Sequence, residues 1–380
     1  MEYTIIGAGI GGLTTALAFE KKGIKYQIFE KAPQLKKVGA GIWLAPNALQ
    51  VFEDIGLLEK IKANGSSINR ITIGTPDLSP ISDNLQGKIK NIFGYSSIAI
   101  HRAKLQELLF NEIPKEKIHL DKSFTRFEQL DSGKIKVEFK DSTKIVTDLL
   151  VGADGIHSNV RKQLFTESKI RFSGQTCWRG VASFDLSKEL ENRVFELWGN
   201  QIRFGYSKIA KNSVYWFAVA LDKPNQKNHK EIVKEKLTSM FADFAPLINE
   251  LITATPTEKI LRNDLCDLSI LDSWYKENIC LIGDAAHAMT PNMGQGGGQA
   301  IEDAHYLSSL IAKYPEENIF ERFQQKRKKK VDAVVNESWM AGKMAHWKYG
   351  QSLRNFFMRR IPKKILEKKM IDLYQIEKIL

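Results

Sequence analysis

The chain lacks several features that would place it in a large protein class. Its 380 residues include only three cysteines, Cys177, Cys266 and Cys280. Thiols so few and so scattered form neither a disulfide framework nor a metal cluster. No apolar run is long enough to cross a bilayer, and the first residues enter an apolar strand without the flanks of a signal peptide. The expected location is therefore cytoplasmic. There is no internal repeat and no low-complexity segment. Acidic residues are in deficit, 44 against 56 lysines and arginines, for a net charge of +12. That excess is spread along the chain with no nucleic-acid-binding motif beside it, so it reads as solvated surface. With 43% hydrophobic residues, the chain has material for a sizeable core and two closely joined domains.

What the chain does have is glycine, concentrated at two distant places. Residues 3–6 are apolar and lead into Gly7-x-Gly9-x-x-Gly12, followed by helical spacing at Leu13, Ala16, Leu17 and Phe19. A second apolar run, residues 26–29, ends in Glu30. The order is strand, tight turn, helix, strand, acid. Gly7 permits the turn, Gly9 lets the backbone approach a pyrophosphate, and Gly12 lets the helix lie close on the strand. Glu30 is placed to accept a ribose hydroxyl, and its charge disfavours a 2′-phosphate there. Far downstream, a buried strand over 278–282 ends in Gly283-Asp284. It continues through Pro291, Gly294, Gln295 and Gly296 into a helix starting near Gln299. Two anion-cradling turns can serve one extended, phosphate-bearing cofactor if the chain returns to the same sheet. FAD fits that requirement best.

Between these motifs the pattern divides. Residues 1–60 alternate strand and helix, and residues 39–47 read as a loop before the helical spacing Leu49, Phe52, Ile55. Arg102 stands near the start of a helix, short strands cover 115–146, and residues 148–155 end in Asp154-Gly155. Residues 178–221 then turn aromatic and β-branched, and 193–198, 201–206 and 213–221 read as an antiparallel meander. Helical spacing covers roughly 230–253 and resumes from about Glu316 to the end, apart from Pro362. The expected fold class is α/β: a discontinuous Rossmann-like domain (1–70, 98–170, 275–330), an inserted antiparallel-sheet domain (71–97, 171–274) and carboxyl-terminal helices (331–380).

Three signatures in this order resemble the single-component flavin monooxygenases related to salicylate, 3-hydroxybenzoate and para-hydroxybenzoate hydroxylases. They are Gly7-x-Gly9-x-x-Gly12 with Glu30, the run from Gly152 through Asp154-Gly155 to Arg161, and Gly283-Asp284 through Gly298. The resemblance implies that the first motif holds the ADP half of FAD and that Arg102 belongs to the FAD pocket. It implies that Asp154 and Gly155 contact the pyrophosphate and the region of the reduced nicotinamide. Asp284 would bind the ribityl or pyrophosphate portion, and Pro291, Gly294, Gln295 and Gly296 would line the isoalloxazine edge. The implied chemistry uses NADH or NADPH, FAD and O2, with a C4a-hydroperoxide attacking a small aromatic or heteroaromatic substrate. An epoxidase or hydroxylase of larger polyenes or polyketide-type antibiotics, or a redox-responsive flavin-binding module, are the alternatives.

Substrate contacts are expected from the meander: Trp178, Arg179, Gly180, Arg203, Tyr215 and Phe217. Arg203 and Tyr215 lie on neighbouring strands and carry the catalytic assignment, arginine to neutralise an anion and tyrosine to orient or deprotonate a hydroxyl. The competing expectation makes the aromatics sheet core and Arg203 a solvated residue. Asn292 stands where some related hydroxylases carry an acid. His157 and His287 fall inside cofactor motifs and read as structural. The basic stretches 326–330 and 354–369, with Phe356, Phe357, Ile361, Ile365 and Leu366 interleaved, are expected to pack their apolar side on the cofactor domain rather than on a membrane.

Overall fold

The computed structural model describes residues 1–35, 40–227, 229–314 and 318–379. Five parallel strands form its first sheet. Glu2–Ile6 lies between Lys25–Phe29 and Leu149–Gly152, with Ile118–His119 beyond the former and Ile279–Leu281 beyond the latter. Tyr275–Lys276 adds an antiparallel edge. The inner strands are apolar on both faces because helices cover one and a three-stranded antiparallel sheet (Phe124–Gln129, Ile135–Phe139, Lys144–Thr147) covers the other, with Phe139 stacked on Phe29. One covering helix is Ile10–Lys21, buried at Ile10, Leu13, Ala16, Leu17 and Phe19. It packs against Gly296–Lys313.

The register decides where the motifs go. Ile6 pairs with both Phe29 and Gly152, and Gly152 with Leu281. The residues that follow these positions, Gly7, Glu30, Ala153-Asp154 and Gly283-Asp284, therefore emerge along one carboxyl edge. That edge is where open α/β sheets bind their ligands.

A second sheet of seven strands runs in the order Leu261–Leu268, Ile170–Ser183, Ser213–Leu221, Ile202–Ala210, Arg193–Trp198, Arg70–Gly74, Pro80–Leu85. Alternation assigns its faces. Trp178, Phe204, Tyr206, Trp216 and Leu197 point to a core shared with the helices Val233–Met240 and Pro246–Thr253. Arg203, opposite Val219, and Gly205, opposite Phe217, point the other way, together with Tyr215, Arg179 and Cys177. Trp178 and Gly180 thus belong to the core face, and only Arg179 of that expected trio faces the cavity.

Two other expectations change. The segment anticipated as a loop before Asn47 contains a strand, Gly41–Leu44, paired with Ser97–His101, and a helix already begins at Pro46. Gly39 and Glu316 lie outside the described residues. The carboxyl-terminal region forms Ile319–Ala345, Gln351–Arg359 and Lys363–Tyr374, broken at Gly350 and Pro362. Contrary to expectation, Phe356, Phe357, Ile361 and Ile365 are exposed, and Leu366 is half-buried. The basic run is not all surface either: Arg327 is buried on the inner stripe of its helix with Phe323, Val331 and Val334.

Candidate active site

A cavity of about 330 Å³ lies between the carboxyl edge of the parallel sheet and the inner face of the seven-stranded sheet. One wall is nearly all backbone. Gly9 and Gly11 stand at the start of one helix, and Gly296 and Gly297 at the start of another. The two starts are neighbours: a Cβ on Gly11 would lie 3.2 Å from Ala300 Cβ, and one on Gly283 would lie 3.0 Å from it. Neither helix has an acidic residue in its first turn. Their N–H groups and positive dipole ends therefore face the cavity with no acid of their own first turns, as suits an anionic ligand.

Glycine is enforced here by contact. A Cβ on Gly12 would come within 2.0 Å of Gly7 O, and one on Gly7, at φ +106°, within 2.5 Å of Ala153 O. Glu30 fixes the turn by accepting from Ala8 N at 2.8 Å and from Ala32 N at 2.9 Å. Its oxygens keep lone pairs for ribose hydroxyls. Asp154 Oδ2 accepts from Asn159 N at 2.7 Å, while its buried Oδ1 has no partner. Gly155, at φ +79°, turns the chain there. Arg161 reaches from this segment to Ala285 O at 3.0 Å, tying the second motif to the third. Asp284 is exposed within the cavity, and Arg102 lines it as well. Gly294 adopts φ +63° and Gln295 is buried beneath the turn.

A buried polar network supports the glycine turn from behind. Asp303 accepts from Gly283 N at 2.9 Å and from Arg327 Nε at 2.9 Å, and its Oδ2 lies 2.6 Å from His287 Nε2. Glu302 pairs with Arg327 and with Lys330, and accepts from Asn47 Nδ2 at 2.7 Å and Gln299 Nε2 at 3.0 Å. Asn47 also donates to Gln295 at 3.0 Å. Burial works to raise the Asp303 carboxyl, but His287, Arg327 and the Gly283 amide outweigh it and hold the carboxyl at about 2. His287 is therefore a buried support, whereas His157 is exposed. Sequence reasoning missed Asp303, Glu302 and Arg327. Their signal, charges at inward positions of two helical patterns, becomes visible only once the helices are paired.

The opposite wall is made of side chains. Phe217 lies over Gly205, where a Cβ would fall 2.2 Å from its ring, and Trp43 meets Phe217 edge-on at 5.9 Å between centroids. Trp43 Nε1 donates to Ser207 Oγ at 2.9 Å. Tyr215 packs across Gly41, and burial pushes its phenol above the usual range. Arg203, 2% exposed, is not solvated. It donates to Glu196 Oε1 at 2.8 Å and to Asn292 Oδ1, and so joins the sheet to the glycine turn. Asn292 in turn donates to Ser338 O at 2.8 Å. Glu196 and Asn292, with Trp43 and Met289, complete a lining that sequence reasoning had only partly identified.

The donor set, the forced glycines and the orphaned Asp154 oxygen all fit FAD. The comparisons agree. A family model described as an FAD binding domain matches residues 1–338. The aurachin C monooxygenase/isomerase of Stigmatella aurantiaca is 37% identical over 351 residues, covering 91% of this chain and 90% of its own. The 2-heptyl-3-hydroxy-4(1H)-quinolone synthase of Pseudomonas aeruginosa is 32% identical over 373 residues, covering 95% and 94%. Klebsiella pneumoniae HpxO, solved with FAD and uric acid, superposes with a TM-score of 0.92 at 23% identity, covering 98% of this chain and 96% of that one. The fold is therefore shared with a flavoprotein crystallised with its cofactor. The chain belongs to the FAD binding domain family and is an FAD-dependent monooxygenase of the hydroxylase type.

Proposed function

We propose that this enzyme uses NADH or NADPH to insert one oxygen atom of O2 into a small heteroaromatic ring. One observation carries the reading: a backbone-lined, anion-accepting wall faces an aromatic wall bearing a buried arginine across a single cavity. FAD bound there would supply the redox chemistry that makes an oxygen atom of O2 electrophilic. The chain supplies the rest. Gly7, Gly9, Gly12, Glu30, Asp154 and Gly155 hold the adenosine and pyrophosphate portion, with Arg102 and Asp284 along the remainder. Pro291, Gly294, Gln295 and Gly296 present the helix start Gly296–Lys313, whose dipole would favour negative charge on a flavin ring held there. Residues 1–70, 98–170 and 275–330 make up the flavin-holding part in this reading. Residues 71–97 and 171–274 make up the substrate part, and 331–380 follow it.

Trp43 and Phe217, packed edge to face, offer a flat substrate one apolar surface and exclude water from it. The Arg203 charge is already met by Glu196, so Arg203 orients a ring oxygen by a shared hydrogen bond rather than as a free cation. With its phenol held neutral by burial, Tyr215 orients and does not act as a base. The quinolone synthase relative is named for a 3-hydroxy-4(1H)-quinolone with a heptyl chain. A 2-alkyl-4(1H)-quinolone unsubstituted at position 3 is accordingly the first compound to test. Incubation with NADH or NADPH under isotopically labelled O2 should give a product carrying one labelled oxygen, with nicotinamide oxidation accelerated by the compound. Flavin reduction indifferent to every aromatic or heteroaromatic ligand would contradict the reading.

A further inference from the structure

The helix Gln351–Arg359 is inside out. Its inward residue is Arg354, 3% exposed, which donates to the terminal carbonyls of the preceding helix, Met344 O at 2.9 Å and Ala345 O at 3.2 Å. The guanidinium also lies over the Trp198 ring, 4.8 Å from its centroid. Cationic charge at a helix carboxyl end is favourable, so the arrangement is stable. The consequence is that Leu353, Phe356 and Phe357, at i, i+3 and i+4 spacing, face outward, with Leu353 and Phe357 each 60% exposed. Trp347 and Tyr349 before the helix and Ile365 after it are exposed too. Of the large hydrophobics exposed across the described residues, half fall between residues 340 and 365. A soluble surface does not collect such a patch without a partner.

Charge selects the partner. Residues 338–366 contain no aspartate or glutamate but seven lysines and arginines. Apart from Arg354, these are exposed: Lys343, Lys348, Arg359, Arg360, Lys363 and Lys364. A second copy of this face would set the same cations against themselves. An anionic lipid surface instead meets the cations with headgroups and the aromatic and aliphatic side chains with the acyl boundary. The neighbouring helix Lys363–Tyr374 shows why the face is not merely loose. It buries Met370, Ile371, Leu373 and Tyr374 against Ile89 and Phe93, and Glu367 pairs with Lys88 at 2.7 Å. The region is pinned to the protein while its apolar stripe stays open.

We infer that residues 347–365 form a peripheral docking face for an anionic membrane surface. The face sits beside the substrate wall: Gln351 Nε2 donates to Asn200 Oδ1 at 2.9 Å, and Trp198 beneath Arg354 donates to Glu196, the partner of Arg203. Docking there brings the cavity close to any ligand dissolved in the lipid. The inference does not depend on the substrate proposed above.

The test is sedimentation of the FAD-loaded, full-length protein with vesicles of phosphatidylcholine alone or containing roughly a third phosphatidylglycerol. Binding should be at least about tenfold stronger to the anionic vesicles and should fall as salt rises through about 0.5 M. Lys363→Glu/Lys364→Glu should lose the preference for anionic lipid. Phe356→Ser/Phe357→Ser should lose binding to both vesicle types, and both variants should retain flavin, showing that they fold. Absence of vesicle binding, equal binding to the two compositions, or indifference to both double substitutions would overturn the inference. So would a dimer that Phe356→Ser/Phe357→Ser dissolves in analytical ultracentrifugation while vesicles are ignored.

Discussion

Along the glycine wall of the cavity, the groups presented are backbone amides and Cα atoms held by strand ends and helix starts. Along the facing wall they are the side chains of Trp43, Arg203, Tyr215 and Phe217, held by sheet register and by one another. The first wall is least tolerant at Gly7 and Gly12, where an added Cβ would collide with backbone. The second is supported by Gly205, Ser207 and Glu196 of the seven-stranded sheet, and we expect it to tolerate replacement of single groups. The difference suggests a division of labour: the backbone wall secures a cofactor that must not move, and the side-chain wall selects what is placed against it.

That division predicts a gradient of effects. Gly12→Ala puts a methyl group 2.0 Å from Gly7 O, a backbone overlap no rotamer relieves. We expect loss of bound flavin and destabilisation by about 4 kcal/mol or more, measured by flavin absorbance and urea unfolding. Retention of full flavin content would erase the contrast between the walls.

Arg327→Met acts one layer behind the glycine wall. It leaves Glu302 and Asp303 buried with less compensating charge, at a cost of about 3–5 kcal/mol in urea unfolding. The substitution also has a pH signature. The Asp303 carboxyl lies at about 2 in the folded chain, below its ordinary 3.8. Its contribution is thus fully present above about pH 4 and is lost as pH falls through the folded value. Removing Arg327 raises that folded value, so acid unfolding should begin at a higher pH than in the wild type. An unchanged acid midpoint would show that the network is incidental.

Substitutions on the side-chain wall should spare the flavin. Arg203→Gln removes the link between Glu196 and Asn292, and we expect kcat/KM to fall by about tenfold to a hundredfold, with NAD(P)H oxidation diverted to hydrogen peroxide. Product and peroxide yields measured together would reveal this; full coupling would return Arg203 to a structural role. Tyr215→Phe should have the smallest effect, a few-fold in KM. With the phenol held neutral by burial, the pH–rate profile of the variant should overlay that of the wild type up to about pH 9. Loss of an alkaline limb in the variant would make Tyr215 a titrating group after all.

The two walls also differ in how far the sequence reveals them. Gly7 and Gly12 answer to local constraints, φ +106° at one and a close backbone approach at the other, and such constraints leave a spacing that can be read directly. The parallel sheet follows from short apolar runs ending at those glycines. On the other wall, a shift of one residue exchanges the faces. Trp178 and Arg179 are adjacent, yet one belongs to the core and the other to the cavity, and only the pairing of Arg179 with Phe217 decides which. Glu196 and Asn292 join Arg203 through contacts spanning up to 89 residues, and no periodicity encodes them. The run 326–330 looked like solvated charge because its composition is basic, but helical geometry turns Arg327 inward onto two acids. At Gln351–Arg359 the same geometry works in reverse, burying an arginine and exposing phenylalanines.

The most direct test of the two-wall account is a titration of FAD-loaded protein with a 2-alkyl-4(1H)-quinolone, followed through the visible absorption of the flavin. The account predicts a saturable spectral change in the wild type. In Arg203→Gln the flavin content should be undiminished and the dissociation constant about tenfold weaker, the size of effect expected for one charge-assisted hydrogen bond. Identical dissociation constants in the two proteins, or loss of FAD from Arg203→Gln, would contradict it.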